Sequence, residues 1–328
     1  MKKNGTHPQN GIFKKGIPRV KWCSIYVSGM NERGGRIEYM ISETLLIGGI
    51  YLFIITSMLF IGLGHTYRDI LAPFKNLKLV VFALLVNLIL IPIAGYLIAM
   101  VFALSGALLV GFLLMTSAPG ASYAPRIAEI AEGDVPFSTG LMFLLSTVAL
   151  VSAPITILLL LPEGTGVSVW PVIRTLILLM FIPMVIGLFI RARYPSTAEK
   201  VMGPVVWTSY IMILLVIVTA LALKLFSPDP VGGLISLFGT LGILAIVLAV
   251  GISVILGYLF GGPAEGTRRS LATGSANRNT GMALLFAASI SSELSEILAV
   301  LVAYIIIQIL ITGILAARWR KKSAAGSG

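Results

Sequence analysis

The chain is poor in the groups that soluble catalysis commonly uses. It has one cysteine, Cys23, and two histidines, His7 and His65, in 328 residues. A lone cysteine excludes an intrachain disulfide and a cysteine-cluster metal site, and two distant histidines argue against a histidine-based one. Charged residues make up only 11% of the chain, against roughly a quarter in a soluble domain. A Ser-His-Asp constellation, a Walker A motif and a Rossmann fingerprint are all missing. Paired carboxylates at membrane depth are missing too, so the residues point away from an enzyme and call for no cofactor beyond a coupling ion.

What remains is apolar, at 57% hydrophobic with a mean hydropathy of +0.99. A large soluble helical core would show polar faces at a 3.6-residue period, and these are largely absent. Repeated apolar runs of about 18 residues or more instead predict an all-α polytopic membrane protein. Nine spans are expected: Leu45–Leu63, Leu79–Val101, Gly106–Ala131, Pro136–Leu161, Val172–Ile190, Val205–Leu223, Leu234–Phe260, Ser270–Ser289 and Ile297–Ala317. Residues 1–41 read as a polar, basic tail without a signal-peptide core, or as an extension upstream of Met40. Residues 42–318 read as the membrane domain and 319–328 as a C-terminal tail.

The net charge of +11 is distributed as a membrane signal and not as a nucleic-acid footprint. One set of alternate loops holds twelve cations, from Arg68, Lys75 and Lys78 through Arg191, Arg193, Lys200, Arg268 and Arg269 to Arg318, Arg320, Lys321 and Lys322. The opposite loops hold little beyond Lys224, Glu163, Asp229, Glu293 and Glu296. The positive-inside bias therefore puts the C-terminus in the cytoplasm. Nine spans would leave the basic tail outside, a conflict that the short loops are taken to decide. A plasma or inner membrane fits, and an organelle envelope is the alternative.

Two spans are interrupted by polar groups. Ser117 to Pro125, SAPGASYAP, breaks the third span at Pro119-Gly120, where proline cannot continue the ladder and glycine weakens the helix. Pro125 suits the first turn of a following half-helix. Thr273 to Gly281, TGSANRNTG, breaks the eighth span and carries Arg278. Broken backbone at membrane depth is tolerated where it lines a cavity or is buried in protein, and an ionisable residue there is by default functional. Two broken helices in corresponding halves point to a transport site. Arg278 and the half-helix N-termini are expected to hold an anionic group, with Asn277, Asn279, Asn87, Ser122, Tyr123 and Thr280 orienting it. The competing reading makes Arg278 a structural cation that closes the crossover, paired to a carboxylate or to carbonyl groups. Arg126 and Glu129 are placed to pair with each other, and MLFIGLG (58–64) reads as packing.

At these residues the chain resembles the bile acid:sodium symporter family. The resemblance covers about Leu45 to Ala317. It rests on MLFIGLG (58–64) with the Arg68-Asp69 loop, on Asn87 five residues before Pro92, on PGASYAPRIAEIAEGDVPFS (119–138) and on GSANRNTGMAL (274–284). It implies two inverted repeats, about 42–163 and 168–318, a panel and a core domain, and two broken helices that cross in the core. It also implies alternating-access transport of organic anions such as bile acids, sulfated steroids or keto acids. The family's sodium ligands fall here on Ala124, Pro125, Gly274, Arg278 and Met142, leaving Ser138, Asn279 and Asn87 as a possible ion site. A negative charge is lost and a cation gained, so two-sodium symport is not expected, while one weak sodium site or a proton remains open as coupling ion. The resulting expectation is a secondary transporter of small organic anions in a lipid bilayer, or else a non-transporting receptor or scaffold on the same fold.

Overall fold

Among the described residues, seven helices are long and apolar enough to cross a membrane. The structure is a computed structural model that describes residues 32–160, 169–225, 241–290 and 294–326. Residues 1–31 of the expected tail, loop residues Glu163, Asp229 and Glu293, and residues 234–240 of the span expected at Leu234–Phe260 lie outside the described residues. Two units are distinguished, Met1–Thr44 and Leu45–Gly328. The described part of the first is the opening of one helix; the second contains everything discussed below.

In chain order the helices are α1 (Glu32–Gly64), α2 (Tyr67–Leu71), α3 (Leu77–Leu85), α4 (Ile91–Val101), α5 (Gly106–Thr116), α6 (Ala124–Ile130) and α7 (Val135–Leu160). They continue as α8 (Val169–Leu176), α9 (Ile182–Arg193), α10 (Pro195–Leu225), α11 (Gly242–Phe260), α12 (Glu265–Ala276), α13 (Thr280–Ile290) and α14 (Leu294–Gly326). No strand occurs among the described residues. The seven long helices overlap the seven expected spans that have no break, with bounds shifted by up to about ten residues, and each expected interruption separates two shorter helices. Helix α1 begins inside the stretch read as a tail, and α14 runs on to Gly326 through residues also read as tail.

Two of the long helices widen for one turn just before a proline. Val86–Leu90 joins α3 to α4 and Ile177–Phe181 joins α8 to α9, and in both the hydrogen bonds step to i−5. The Ile91 amide reaches Val86 O, so the next bond in that pattern would run from position 92 to Asn87 O. Pro92 has no N–H to give. The carbonyl of Asn87 is thereby freed for another donor.

Helices in lipid associate through close packing and polar contacts rather than apolar burial, which favours small residues at contacts. Gly62 of α1 and Gly187 of α9 meet in this way. A Cβ on Gly187 would lie 2.5 Å from Leu59 O and 2.8 Å from Leu63 N. The MLFIGLG segment thus does pack, backbone to backbone. Gly187→Val is expected to separate the pair at a cost of about 1–3 kcal/mol, measurable as a lower melting temperature in detergent. The outward surface is apolar, with Val101 80% and Leu159 79% exposed, as a lipid-facing rim should be.

Candidate functional site

The first break runs from the end of α5 to the start of α6, and the second from the end of α12 to the start of α13. They are bonded to each other directly. The Asn279 amide donates to Ala118 O at 2.7 Å, and Asn279 Nδ2 donates to Gly120 O at 3.1 Å. Asn279 Oδ1 accepts from the Met282 amide at 3.1 Å, so the same side chain caps α13. Gly120 adopts φ +87°, and a Cβ there would lie 2.8 Å from the Ser146 backbone nitrogen. Its carbonyl also accepts from Ser146 Oγ of α7 at 3.0 Å. Only glycine satisfies both the backbone angle and the approach. Gly120→Ala is expected to cost about 1–3 kcal/mol from backbone strain alone, with a larger loss from pushing α7 away, read as a fall in melting temperature and in yield.

Among the described residues Arg278 is the largest fully buried side chain, and every N–H of its guanidinium finds an oxygen. Nε donates to Met115 O (3.3 Å), Nη1 to Asn87 Oδ1 (3.0 Å) and Ser275 O (3.2 Å), and Nη2 to Asn87 O (3.3 Å) and Thr116 O (2.6 Å). Met115 and Thr116 end α5, and Ser275 sits in the last turn of α12. Their carbonyls lie in the last turn of each helix, at the negative end of its dipole, and that of Met115 also accepts from the Ala118 amide at 3.2 Å. The Asn87 carbonyl is the one released by the wide turn before Pro92. No ion pair to Arg278 is present among the described residues. The guanidinium is therefore held as a bare cation would be, by oxygens and two helix ends.

A polar layer on α14 supports this arrangement. Gln308, buried in an apolar run, accepts from the Arg278 amide at 3.0 Å and donates to Tyr123 Oη at 2.5 Å. Thr312, four residues on, contacts Asn277 Nδ2 at 3.3 Å, while Asn277 Nδ2 also donates to Thr273 O at 2.8 Å. Asn87 Nδ2 donates to Ser275 Oγ at 2.9 Å. Gln308, Thr312, Ser275 and Ser146 do not stand out in the sequence reading. Gln308 carries the same signal as Asn87, a lone amide in an apolar span.

The expected site residues are thus partly brought together. Arg278, Asn87, Asn277 and Asn279 form one buried network, reached by Tyr123 through Gln308, with Asn87 Oδ1 already engaged by Arg278. Ser122 and Tyr123 are half-buried in the first break. Thr280 Oγ1 and Ser138 Oγ are buried without a hydrogen-bond partner. Ser138 lines a cavity of about 10 Å³ at the crossing with Gly120, Ala124, Met142 and Gly274, the size of about one water. Three of the positions matched to lost sodium ligands, Ala124, Met142 and Gly274, share that space, and it carries no charge. Arg126 and Glu129 pair with each other at 2.5 Å and are exposed.

The second break corrects one boundary. Its first half-helix starts at Glu265 and not at Ser270, which puts Arg268 and Arg269 on helix. Arg269 is held there by Glu265 one turn earlier (3.2 Å), by Ala131 O (3.1 Å) and by Glu132 (3.8 Å).

A probable sodium/metabolite cotransporter, BASS2, chloroplastic, of Oryza sativa subsp. japonica is 26% identical over 147 residues, covering 44% of this chain and 35% of that protein. The P3 protein of Homo sapiens is 30% identical over 137 residues, covering 40% of this chain and 28% of that protein. The match thus spans about a third of the length of these relatives. The family model described as Sodium Bile acid symporter family matches residues 51–227, more than half of the chain and including the whole first break. On that match, the chain belongs to the sodium bile acid symporter family.

Proposed function

We propose that the protein is a secondary transporter of small organic anions, working by alternating access, in which Arg278 takes the place of a coupling sodium ion. The observation that carries this reading is the set of five oxygens around the Arg278 guanidinium. Sodium at such a place would need several oxygen ligands and a compensating negative charge. Here the oxygens are taken by a permanent cation, and the matched positions around Ser138 are apolar. Sodium coupling is accordingly doubtful, and exchange, proton coupling or facilitated diffusion replaces it.

The substrate's anionic group sits outside the Arg278 cage and feels its uncompensated charge, since no guanidinium N–H is left to bond it. Ser122, Tyr123 and Thr280 are the groups that bond it directly. Tyr123 Oη accepts from Gln308, leaving its own proton for an acceptor, and Thr280 Oγ1 is unpartnered. Asn277, Asn279 and Asn87 set the backbone geometry of the crossing. The positive-inside bias puts the C-terminus in the cytoplasm.

The test is flux. Protein reconstituted in liposomes should take up a labelled bile acid, sulfated steroid or keto acid, and Tyr123→Phe should lower uptake by about tenfold, the worth of one bond to a charged group. A second reading, a receptor or scaffold, draws on the tight filling of the crossing, where the cavity beside Ser138 holds only about 10 Å³. Tight binding of an anion without any flux would favour that reading.

A further inference from the structure

A groove of about 510 Å³ lies away from the crossing, between the start of α3 and the end of α11 with the turn that follows it. Its floor is apolar. Leu79, Phe82, Leu259 and Phe260 form it, with the Phe82 and Phe260 rings edge to face at 5.6 Å. Its rim carries two cations, Lys78 and Arg268, and among the described residues no acidic one lines it. Lys78 Nζ lies 5.9 Å from the Phe82 ring centre. Arg268 is fixed by its Nε, which donates to Gly262 O at 2.7 Å, and by stacking over Tyr258 at 5.5 Å. Glu132 pairs with Arg269, and Glu265 pairs with Arg269 and accepts from the Tyr258 hydroxyl; Glu265 also feels the charge of Arg268 beside that of Arg269.

The position of the groove says what fills it. Its walls are the first residues of one membrane-spanning helix, Leu77–Val101, and the last of another, Gly242–Phe260. It therefore opens at the depth of lipid head groups, and its floor continues into the apolar rim. Tyr258 also stacks on Trp319 of α14 at 5.8 Å, which brings the basic end of α14 to the same place. Basic pockets between helices on the positive side of a membrane protein suit anionic lipid head groups.

We infer that this groove binds one anionic phospholipid, its phosphate between Lys78 and Arg268 and its first methylenes on the Phe82–Phe260 floor. The inference does not depend on transport. Full-length protein in neutral detergent should melt higher by on the order of 2–4 °C with phosphatidylglycerol, and phosphatidylcholine should not produce this shift. Native mass spectrometry should retain one phosphatidylglycerol per chain. Lys78→Gln, an exposed change touching only a ring, should weaken that binding by about fivefold. The double variant Lys78→Gln/Arg268→Gln should lose it. Inorganic phosphate at millimolar concentration should leave the melting temperature unchanged. Equal stabilisation by phosphatidylcholine, or wild-type lipid retention in Lys78→Gln, overturns the inference. So does displacement of the lipid by inorganic phosphate or a soluble carboxylate, which would make the groove a site for soluble anions.

Discussion

Arg278→Ala is expected to lower the stability of the fold by about 3–5 kcal/mol, the cost of removing one side of a buried charged network, and to abolish uptake. The loss follows from what the side chain holds. Two carbonyls at the end of α5, one at the end of α12 and two oxygens of Asn87 all face the guanidinium. Without it they meet one another, lone pair to lone pair, at the depth where water is scarcest. A single interhelical bond in a membrane is worth only about 0.6 kcal/mol, so the prediction rests on five acting together. Arg278→Lys keeps the charge but offers three donors from one nitrogen. It should melt between the wild type and the alanine variant. Thermal unfolding in detergent, beside uptake in liposomes, checks both statements. Wild-type melting of Arg278→Ala would mean that the carbonyls find other donors and that the network is not what joins the two breaks.

The second large effect is a gain. The double variant Gly274→Glu/Arg278→Gln restores the residue types that the family resemblance places at these positions, and it is expected to acquire stabilisation by sodium. A Cβ built on Gly274 would meet no atom within 4 Å outside its own helix, so the first carbon of the new side chain fits, and the rest must enlarge the small cavity beside it. That cavity holds the unpartnered Ser138 hydroxyl. Exchanging an arginine for a glutamine and a glycine for a glutamate changes the local charge from positive to negative. The oxygens once held by Arg278 then need a cation, and sodium is the one available. At a hundredfold excess over its dissociation constant, sodium would add about 2.7 kcal/mol of stability. Melting curves of the double variant in sodium and in potassium measure the gain. Identical curves would mean that the crossing is not a sodium site with its ligands replaced.

How far the sequence led depends on the kind of signal. Both breaks were legible because proline, glycine and asparagine inside apolar runs contradict an uninterrupted membrane helix. Pro125 at the start of α6 followed from the same chemistry. The partners of Arg278 were not legible, because four of the five oxygens are backbone carbonyls and residue identity does not reveal which carbonyls are free. The wide turn at Val86–Leu90 decides this for Asn87, and only the combination of Pro92 with the helix geometry exposes it. Gln308 and Thr312 do not stand out within a strongly apolar helix, although their four-residue spacing puts both on one face. The start of α12 was missed because Arg268 and Arg269 read as loop cations; Glu265, one turn before Arg269, is what lets the helix begin there.

The central claim is that a fixed guanidinium does the work of a coupling cation, and ligand-dependent melting tests it most directly. Purified protein should be heated with a panel of bile acids, sulfated steroids and keto acids, once in sodium and once in potassium. The account predicts an anion that raises the melting temperature equally in both salts. Stabilisation that appears only in sodium would contradict it, because a sodium site would then survive beside Arg278.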